Sequence, residues 1–380
     1  MTTFTARPPL SEFIARGDQP TPYTAFSIDT ALDAYRRLTV RFPGEVWFAI
    51  KAAPVPGLLS ALGGLGCGFD VASPAEARMC LHSGVPAATI SYGNPVRSAG
   101  EIEAAAALGV RTFVVDTELE VRRLASMVPG VRVVIRLAHG GEGSDWPLSY
   151  RYGCTRQQAL LLARKADRLG LDVAGLCWHV GSQQRDRHAW DAPVAAAAAL
   201  WNDLARDGIH LRLLNVGGGL PADCYQRPAP PMEEVVDAIL AAVDRHFADR
   251  PVLVVEPGRA LTAAAGVSVV EVKAIADRVD GRYVVVDGGV FNLGLIEAAA
   301  VGYRIDALGH TDPGDEESMP VIISGPSCDS VDVLPAPYHV PKSLRVGDQL
   351  AIWGTGAYTW PYAANDFNGY APVSPVLVSS

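Results

Sequence analysis

Lysine is scarce in this 380-residue chain. Only Lys51, Lys165, Lys273 and Lys342 occur, and arginine supplies nearly all the other basic residues. The net charge is −9, so the chain lacks the basic surface that nucleic acids or anionic membranes attract. We therefore expect neither as a partner. Apolar residues make up 49% of the chain and charged residues 19%, which predicts a globular, soluble protein.

Long apolar runs and paired cysteines are also missing. No run reaches membrane-spanning length, and the first residues, Met1–Arg7, lack the apolar core of a signal peptide. The six cysteines form no CxxC pair and have no histidine at zinc spacing, so no metal site is predicted. Reduced thiols and a cytoplasmic location are expected, with Cys67, Cys80 and Cys177 as core residues.

From about residue 26, short apolar stretches alternate with alanine-rich helical stretches. The predicted strands are Val46–Ile50, Gly68–Ala72, Thr89–Tyr92, Thr112–Asp116, Arg132–Leu137, Ala174–His179, Leu211–Val216 and Val252–Glu256. The predicted helices include Pro74–Ser83, Ala99–Leu108, Glu118–Met127, Arg156–Leu169, Ala189–Asp207 and Met232–Asp249. Eight consecutive units favour a closed (β/α)₈ TIM barrel over a doubly wound open sheet.

The rhythm changes after about Gly266, where strands alternate with long loops rich in proline and glycine. This part predicts a mostly β second domain, with an exposed polar loop at His310–Met319. We assign residues 24–265 to the barrel, and residues 1–23 with 266–380 to the β domain.

Lys51 follows the first apolar strand. A desolvated lysine amine can lose its proton and attack a carbonyl, which an arginine cannot do. A lysine at a strand end can equally extend its amine to solvent while its stem packs on the apolar surface. Position alone does not decide between these two interpretations.

Other polar residues are predicted at the same carboxyl-terminal rim of the barrel. Gly217–Gly219 could turn backbone amides toward a phosphate, although a triple glycine also occurs in ordinary tight turns. Glu256 and Arg259 follow the last strand, where a simple ion pair is the alternative. His179 could stack on a flat ring or be a satisfied core histidine. A reactive lysine, a phosphate site and a carboxylate together fit pyridoxal 5′-phosphate (PLP).

Ordered motifs then carry a family resemblance across nearly the whole chain. They are Phe48-Ala49-Ile50-Lys51, Gly68–Ser73, His179-Val180-Gly181-Ser182, Gly217–Gly219, Glu256-Pro257-Gly258-Arg259, Gly325–Ser330, Gly356–Thr359 and Phe367-Asn368-Gly369. The chain resembles the ornithine/diaminopimelate/arginine decarboxylases, the alanine-racemase-like type of PLP enzyme. Bacterial ornithine/lysine decarboxylases are the nearest likeness within that family.

The resemblance implies a role for each matching position. Lys51 would bind the cofactor covalently, Glu256 would pair with the pyridine nitrogen, His179 would stack on the ring, and Cys328 would reprotonate the α-carbon. These four are the implied catalytic residues. The implied cofactor-binding residues are Lys51, Asp70, Arg136, His179, Ser182, Gly217, Gly218, Gly219, Glu256, Gly258, Arg259 and Tyr358.

The resemblance also implies the substrate site and the assembly. Substrate would contact Cys328, Asp329, Glu297 and Tyr358, with Asp329 facing a distal ammonium. In the family the cysteine, its aspartate and the tyrosine reach the partner's site, so a homodimer with two shared sites is implied. Arg151 and Asp332 resemble an ion pair between subunits.

Substrate identity is less determined than reaction type. Cys328-Asp329 resembles enzymes acting on ornithine or lysine, yet Glu297 is followed by Ala298-Ala299-Ala300, where such enzymes usually carry another acid. A nonstandard amino acid is therefore an alternative substrate, and Arg304 would reverse the preference if it faced the pocket. A solvent-facing arginine at a helix end is the simpler interpretation of Arg304.

The resemblance leaves two other functional classes as alternatives. An amino-acid racemase would need an acid/base group on the opposite ring face, and would not be expected to carry Cys328-Asp329. A decarboxylase-like regulator that has lost the cofactor would show degraded motifs, whereas Lys51, Glu256 and Arg259 are all present.

Overall fold

A computed structural model describes residues 8–148, 151–310 and 317–378. The chain divides into two compact units. The barrel unit comprises Ala34–Pro221 and Ala229–Ala260, and the β unit comprises Met1–Asp33, Ala222–Pro228 and Leu261–Ser380. The return of Ala222–Pro228 to the β unit was not indicated by any sequence pattern.

Eighteen strands and eleven α-helices make up the described part of the chain. The strands are β1 Tyr23–Ser27, β2 Glu45–Ala49, β3 Gly68–Val71, β4 Ile90–Tyr92, β5 Thr112–Val115, β6 Arg132–Arg136, β7 Ser144–Trp146, β8 Asp172–Cys177, β9 Ser182–Gln184, β10 Leu213–Asn215, β11 Val252–Val255, β12 Gly266–Arg278, β13 Gly281–Val286, β14 Arg304–Ala307, β15 Ser318–Ser324, β16 Val333–Pro341, β17 Gln349–Trp353 and β18 Pro375–Val378. The helices are α1 Pro8–Arg16, α2 Ile28–Arg41, α3 Pro56–Gly64, α4 Pro74–His82, α5 Ala99–Ala107, α6 Glu118–Met127, α7 Arg156–Arg168, α8 Asp191–Arg206, α9 Met232–His246, α10 Arg259–Thr262 and α11 Ala298–Val301.

The barrel unit contains a closed barrel of eight strands in the order β10-β11-β2-β3-β4-β5-β6-β8. Every neighbouring pair is parallel. The predicted TIM barrel is therefore confirmed, and the open sheet is wrong. Because all eight strands run in the same direction, their carboxyl ends meet at one rim. The register places Ala49 of β2 beside Asp70 of β3 at that rim.

Apolar strands and capped helices explain why this sequence closes a barrel. β3, β4 and β5 are buried along their whole length, as expected of strands covered by helices on one face and by barrel side chains on the other. Ser73, Ser98, Thr117 and Thr155 each accept the N3 backbone N–H at the start of a helix. Such a cap stabilises a helix by about 1 kcal/mol.

The β unit contains an eight-stranded sheet with the path β14-β17-β12-β13-β15-β16. β1 joins it by pairing antiparallel with β12 and parallel with β18. The predicted mostly β second domain is thus confirmed as a fold. Its core packs β1, β12, β17 and β18 against α1.

Two predictions about loops and strand ends need correction. β2 ends at Ala49, so Lys51 lies in a short 3₁₀ turn, Ile50–Ala52, and not at the strand end. Part of the predicted loop His310–Met319, residues 311–316, lies outside the described residues. Ser318 and Met319 begin β15, while His310 is half-buried and bonded to Ser343 and Asp348.

In the described ranges, none of the helices combines the length and the apolar character that a membrane span requires.

Candidate active site

Lys51 stands just beyond β2 at the carboxyl-terminal rim of the barrel. The 3₁₀ turn buries Ile50 and Ala52 on either side of it, so the chain directs the intervening side chain away from the core. The Lys51 Nζ lies 3.1 Å from Asp70 Oδ2, and the lysine side chain is 46% exposed against 5% for the aspartate. The amine is thus accessible and held by a buried carboxylate.

The second carboxylate oxygen of Asp70, Oδ1, is buried and has no hydrogen-bond partner within the described residues. A Cβ added at Gly93 would lie 1.9 Å from this oxygen, so glycine at position 93 leaves the space that the carboxylate occupies. A buried acceptor without a donor is costly, and its presence at this rim indicates a site built for a polar ligand.

Glu256 is a buried carboxylate held by Asn215. The Asn215 Nδ2 donates to Glu256 Oε1 at 2.5 Å, while Asn215 Oδ1 accepts from the Gly217 N–H at 2.9 Å. Burial raises the pKa of Glu256 to about 7, and the Asp70 carboxylate acts in the same direction. Sequence reasoning missed Asn215, because an asparagine at the end of a strand carries no distinctive signal.

His179 lies against the triple glycine. Its Nδ1 accepts the Gly181 N–H at 3.0 Å, and a Cβ at Gly218 would lie 2.8 Å from its Nε2. Burial, together with the positive charges of Arg136 and Lys51, lowers the pKa of His179 well below its ordinary value. The ring is therefore neutral at physiological pH, which suits a flat stacking surface better than an acid.

The triple glycine forms a tight backbone turn after β10. Gly217 and Gly219 have φ of 75° and 106°, and a Cβ at Gly217 would lie only 1.8 Å from the Trp178 carbonyl oxygen. Only glycine tolerates this combination of conformation and crowding. The phosphate-binding role that we expect of these residues stays a prediction.

Arg259 and Ser182 supply cationic and hydroxyl groups in the same unit. Arg259 is 3% exposed, and its Nη2 lies 3.1 Å from Ser182 Oγ. A buried guanidinium next to a hydroxyl is the chemistry that binds phosphate. Gly258 lies in the turn before Arg259, as the motif places it.

Arg136 ends β6, with its guanidinium carbon 5.5 Å from the centre of the Tyr152 ring. Its charge acts on both Glu256 and His179, which places it within electrostatic reach of the site. The structure thus brings together every predicted site residue of the barrel unit.

These residues fit PLP group by group. Lys51 offers an amine for the aldehyde, Glu256 a carboxylate for the ring nitrogen, and His179 a neutral ring for stacking. The glycine turn with Ser182 and Arg259 matches a phosphate, and the unpartnered Asp70 Oδ1 indicates that the rim is designed for a ligand.

The β unit carries the remaining predicted residues, Cys328, Asp329, Glu297 and Tyr358. Cys328 and Asp329 are exposed in a loop, and Glu297 is buried at the N-terminus of α11. Tyr358 adopts a positive φ of 57° and stacks on Tyr362 with ring centroids 6.1 Å apart.

Asp332 fixes the loop that carries Cys328. It is 1% exposed, its Oδ1 accepts the Val290 N–H at 2.7 Å, and its Oδ2 accepts the Ser327 N–H at 3.0 Å. A Cβ at Gly289 or Gly325 would lie 2.2 Å from Oδ1, so both glycines leave space for this carboxylate. The carboxylate is therefore satisfied within its own unit. The ion pair between subunits with Arg151 stays a prediction.

Arg304 is not at a helix end. It begins β14 and lies 3.3 Å from Asp306, whose Oδ2 also accepts the Trp353 indole N–H at 2.8 Å. This acidic neighbour compensates much of the arginine charge, which weakens the idea that Arg304 reverses substrate preference.

The cysteines divide into two classes. Cys67, Cys80, Cys154, Cys177 and Cys224 are buried, while Cys328 is exposed. Burial raises the pKa of Cys67, Cys80 and Cys154 to about 12. Five of the six thiols are thus buried, and the predicted core positions Cys67, Cys80 and Cys177 are confirmed.

The parallel barrel and the group of side chains at its rim define a PLP-type active site. A family model described as "Pyridoxal-dependent decarboxylase, pyridoxal binding domain" matches residues 27–263. The chain belongs to this family of decarboxylases. The predicted cofactor, reaction type and family are therefore confirmed.

Known proteins resemble the chain over nearly its full length. A lysine/ornithine decarboxylase of Selenomonas ruminantium is 32% identical over 360 residues, which is 94% of this chain and 90% of that protein. The solved structure of SrLDC in complex with PLP and cadaverine has a TM-score of 0.87 at 30% identity, covering 99% of this chain and 95% of that one. A lysine/ornithine decarboxylase of Vibrio vulnificus complexed with cadaverine has a TM-score of 0.87 at 26% identity, covering 99% and 100%.

Proposed function

We propose that this chain decarboxylates a basic diamino acid, ornithine or lysine, and releases a diamine. The observation that carries the proposal is the group at the barrel rim, where Lys51 pairs with Asp70 and Glu256 with Asn215. The relatives named above are lysine/ornithine decarboxylases, and two of their structures hold cadaverine. The acidic Asp329 beside Cys328 supplies a charge of the sign that a distal ammonium requires.

The proposed roles follow from the chemistry of each residue. When bound, PLP supplies an electron sink for the α-carbon of the substrate. Glu256, oriented by Asn215, holds the proton at the ring nitrogen and so strengthens that sink. Asp70 holds the Lys51 ammonium when the amine is not engaged with the cofactor.

Binding and proton delivery fall to other residues. His179, neutral at physiological pH, orients the ring without adding charge. Arg259, Ser182 and the glycine turn hold the phosphate, and Arg136 contributes positive charge to the same rim. Cys328 delivers a proton to the α-carbon once carbon dioxide has left.

A second substrate class has one specific observation in its favour. After Glu297 the helix α11 continues as Ala298–Val301, with no second carboxylate. Losing one carboxylate near the pocket would weaken the attraction for a distal ammonium, and the pocket would then tolerate a modified or nonstandard side chain. Such an amino acid is the alternative substrate.

One screen separates the two candidates. The holoenzyme is incubated with ornithine, lysine, arginine, diaminopimelate, and D- and hydroxylated forms of these amino acids, and carbon dioxide release is measured. We expect the highest kcat/KM for ornithine or lysine, with the diamine as product. Release from a modified amino acid alone would favour the alternative, and racemised substrate without carbon dioxide would contradict both. The variant Lys51→Arg is the blank, because it keeps the charge but cannot form an imine.

The assembly and location are further parts of the proposal. Because Cys328, Asp329 and Tyr358 match positions that serve a partner's site in the family, we infer a homodimer whose β unit, residues 1–23 and 266–380 in our assignment, completes the neighbouring site. Free cysteines throughout the chain are compatible with the reducing cytoplasm. Sedimentation of the holoenzyme and fractionation of native cells would test the two statements separately.

A further inference from the structure

A rigid turn lies beside the exposed thiol of Cys328. Asp366 and Asn368 both adopt left-handed backbone conformations, with φ of 52° and 53°. The turn is closed by the Gly369 N–H to the Asp366 carbonyl oxygen at 2.9 Å, and Phe367 stacks on Phe291 with centroids 4.1 Å apart. These contacts hold the backbone from which the Asn368 side chain extends.

Asn368 bonds Cys328 twice through one oxygen. Its Oδ1 accepts the Cys328 backbone N–H at 3.2 Å and the Cys328 S–H at 3.4 Å. The first bond fixes the backbone that carries the thiol, and the second fixes the direction of Sγ. Only the protonated thiol can make the second bond, because a thiolate has no proton to donate.

We propose that Asn368 is a positioning residue that aims the Cys328 thiol for proton delivery. This inference rests on the proposed function, in which the Cys328 S–H bond breaks and its proton forms a C–H bond at the α-carbon. The thiolate left behind takes a proton from solvent, and the Asn368 oxygen then binds the restored S–H. Asn368 thereby sets which product the enzyme releases.

The backbone conformation of Asn368 allows a test without loss of the turn. Glycine, aspartate and asparagine all tolerate a positive φ, so Asn368→Gly and Asn368→Asp both preserve it. Asn368→Gly removes the acceptor, whereas Asn368→Asp replaces it with a charged acceptor that disfavours a neighbouring thiolate. The two variants should therefore move thiol reactivity in opposite directions.

The first readout is the rate of alkylation of the holoenzyme by iodoacetamide, without substrate. Cys328 is the one cysteine of the six that is exposed in the single chain. In the inferred dimer it would face a site that admits substrate, so the native enzyme should take up one label per chain, and Cys328→Ser none. Asn368→Gly should react faster by about threefold to tenfold, the factor expected of one neutral hydrogen bond, and Asn368→Asp more slowly than wild type. Uptake of more than one label would report unfolding of that variant.

The second readout is the product formed with the preferred substrate. We expect Asn368→Gly to release an increased share of aldehyde by-product relative to amine, because the proton is delivered less accurately. Wild-type alkylation rates in both variants, or rates changed in the same direction, would overturn the inference. A wild-type enzyme that releases no carbon dioxide from any amino acid would instead contradict the proposed function, and the alkylation result would still stand.

Discussion

At the scale of single residues, burial changes what a carboxylate can do. Glu256 is enclosed beside a second carboxylate, so its proton is held up to about pH 7, far above the range of a solvated glutamate. A cation placed against it, such as a protonated pyridine ring, would restore the ionised form. Glu256 therefore favours a positively charged ligand beside it.

This preference predicts a pH dependence of stability for the cofactor-free protein. The folded state binds the Glu256 proton more tightly than the unfolded chain, so the free energy of unfolding decreases as pH rises from the ordinary value of 4.5 through about 7. Glu256→Gln has no carboxyl group to titrate at this position. The free energy of unfolding of this variant should therefore rise relative to that of wild type by up to about 3 kcal/mol between acidic and mildly alkaline pH. Urea unfolding of both proteins across that range is the measurement, and parallel pH profiles would contradict the prediction.

Substitution of Lys51 should remove catalytic activity without unfolding the protein. Lys51→Ala should lower the decarboxylation rate by on the order of 10⁴-fold or more, the scale of removing a covalent catalyst. Lys51→Arg should be equally inactive although it retains the partner for Asp70. Carbon dioxide release and visible absorbance of the cofactor check both variants, and near-normal turnover by either one would remove Lys51 from the mechanism.

At the scale of elements, the turn after β10 links the phosphate site to the ring site. Gly218 lies against both the His179 ring and the Glu256 carbonyl oxygen, and each would be 2.8 Å from a Cβ at this position. The turn therefore packs between two functional residues and leaves no room for a larger side chain at position 218.

Gly218→Ala should accordingly weaken cofactor binding. The added methyl must displace the His179 ring, and we expect the Kd for PLP to rise by about tenfold or more, the effect of roughly 1.4 kcal/mol. Gly64→Ala at the end of α3 is the matched control, because a Cβ there meets nothing within 4 Å. Spectral titration of the cofactor-free variants with PLP measures the two Kd values. Equal values would show that position 218 has room for a methyl group.

The loop carrying Cys328 depends on a single buried carboxylate. Asp332→Ala would leave the Val290 and Ser327 amides without their acceptor, which should lower the free energy of unfolding by about 2–4 kcal/mol. Asp329→Ala, in the same loop but exposed, should change it by less than about 1 kcal/mol. Urea unfolding measures the free energy of unfolding of both variants. Losses of similar size would contradict the prediction that the buried carboxylate matters more.

The sequence predicted elements better than the contacts between them. The eight barrel strands were found because each is a continuous apolar run between polar turns, a local signal. Asn215, Asp332 and Asn368 were not assigned their roles, because each acts through a backbone amide or thiol that only folding brings near. The end of β2 was also misplaced, since Ile50 is as apolar in a 3₁₀ turn as in a strand.

At the scale of the whole molecule, the inferred shared sites make a quantitative prediction. Lys51→Ala and Cys328→Ala each damage a different half of every site in such a homodimer. Mixing the two variants under conditions of subunit exchange should restore about a quarter of wild-type amine formation, because half of the dimers are hybrid and each hybrid has one intact site. No recovery, despite exchange shown by mass difference, would place both residues in one subunit's site.

The pairing of β1 has a consequence for biosynthesis. Thr24 pairs with Ser268 on one side and with Pro375 on the other, so this early strand has no complete sheet to join until β18 has been made. At about 5–20 residues per second, a ribosome needs roughly 20–70 s to cover that interval. During this time the segment Tyr23–Ser27, which is buried in the folded protein, emerges unpaired, and we expect it to be a binding site for nascent-chain chaperones.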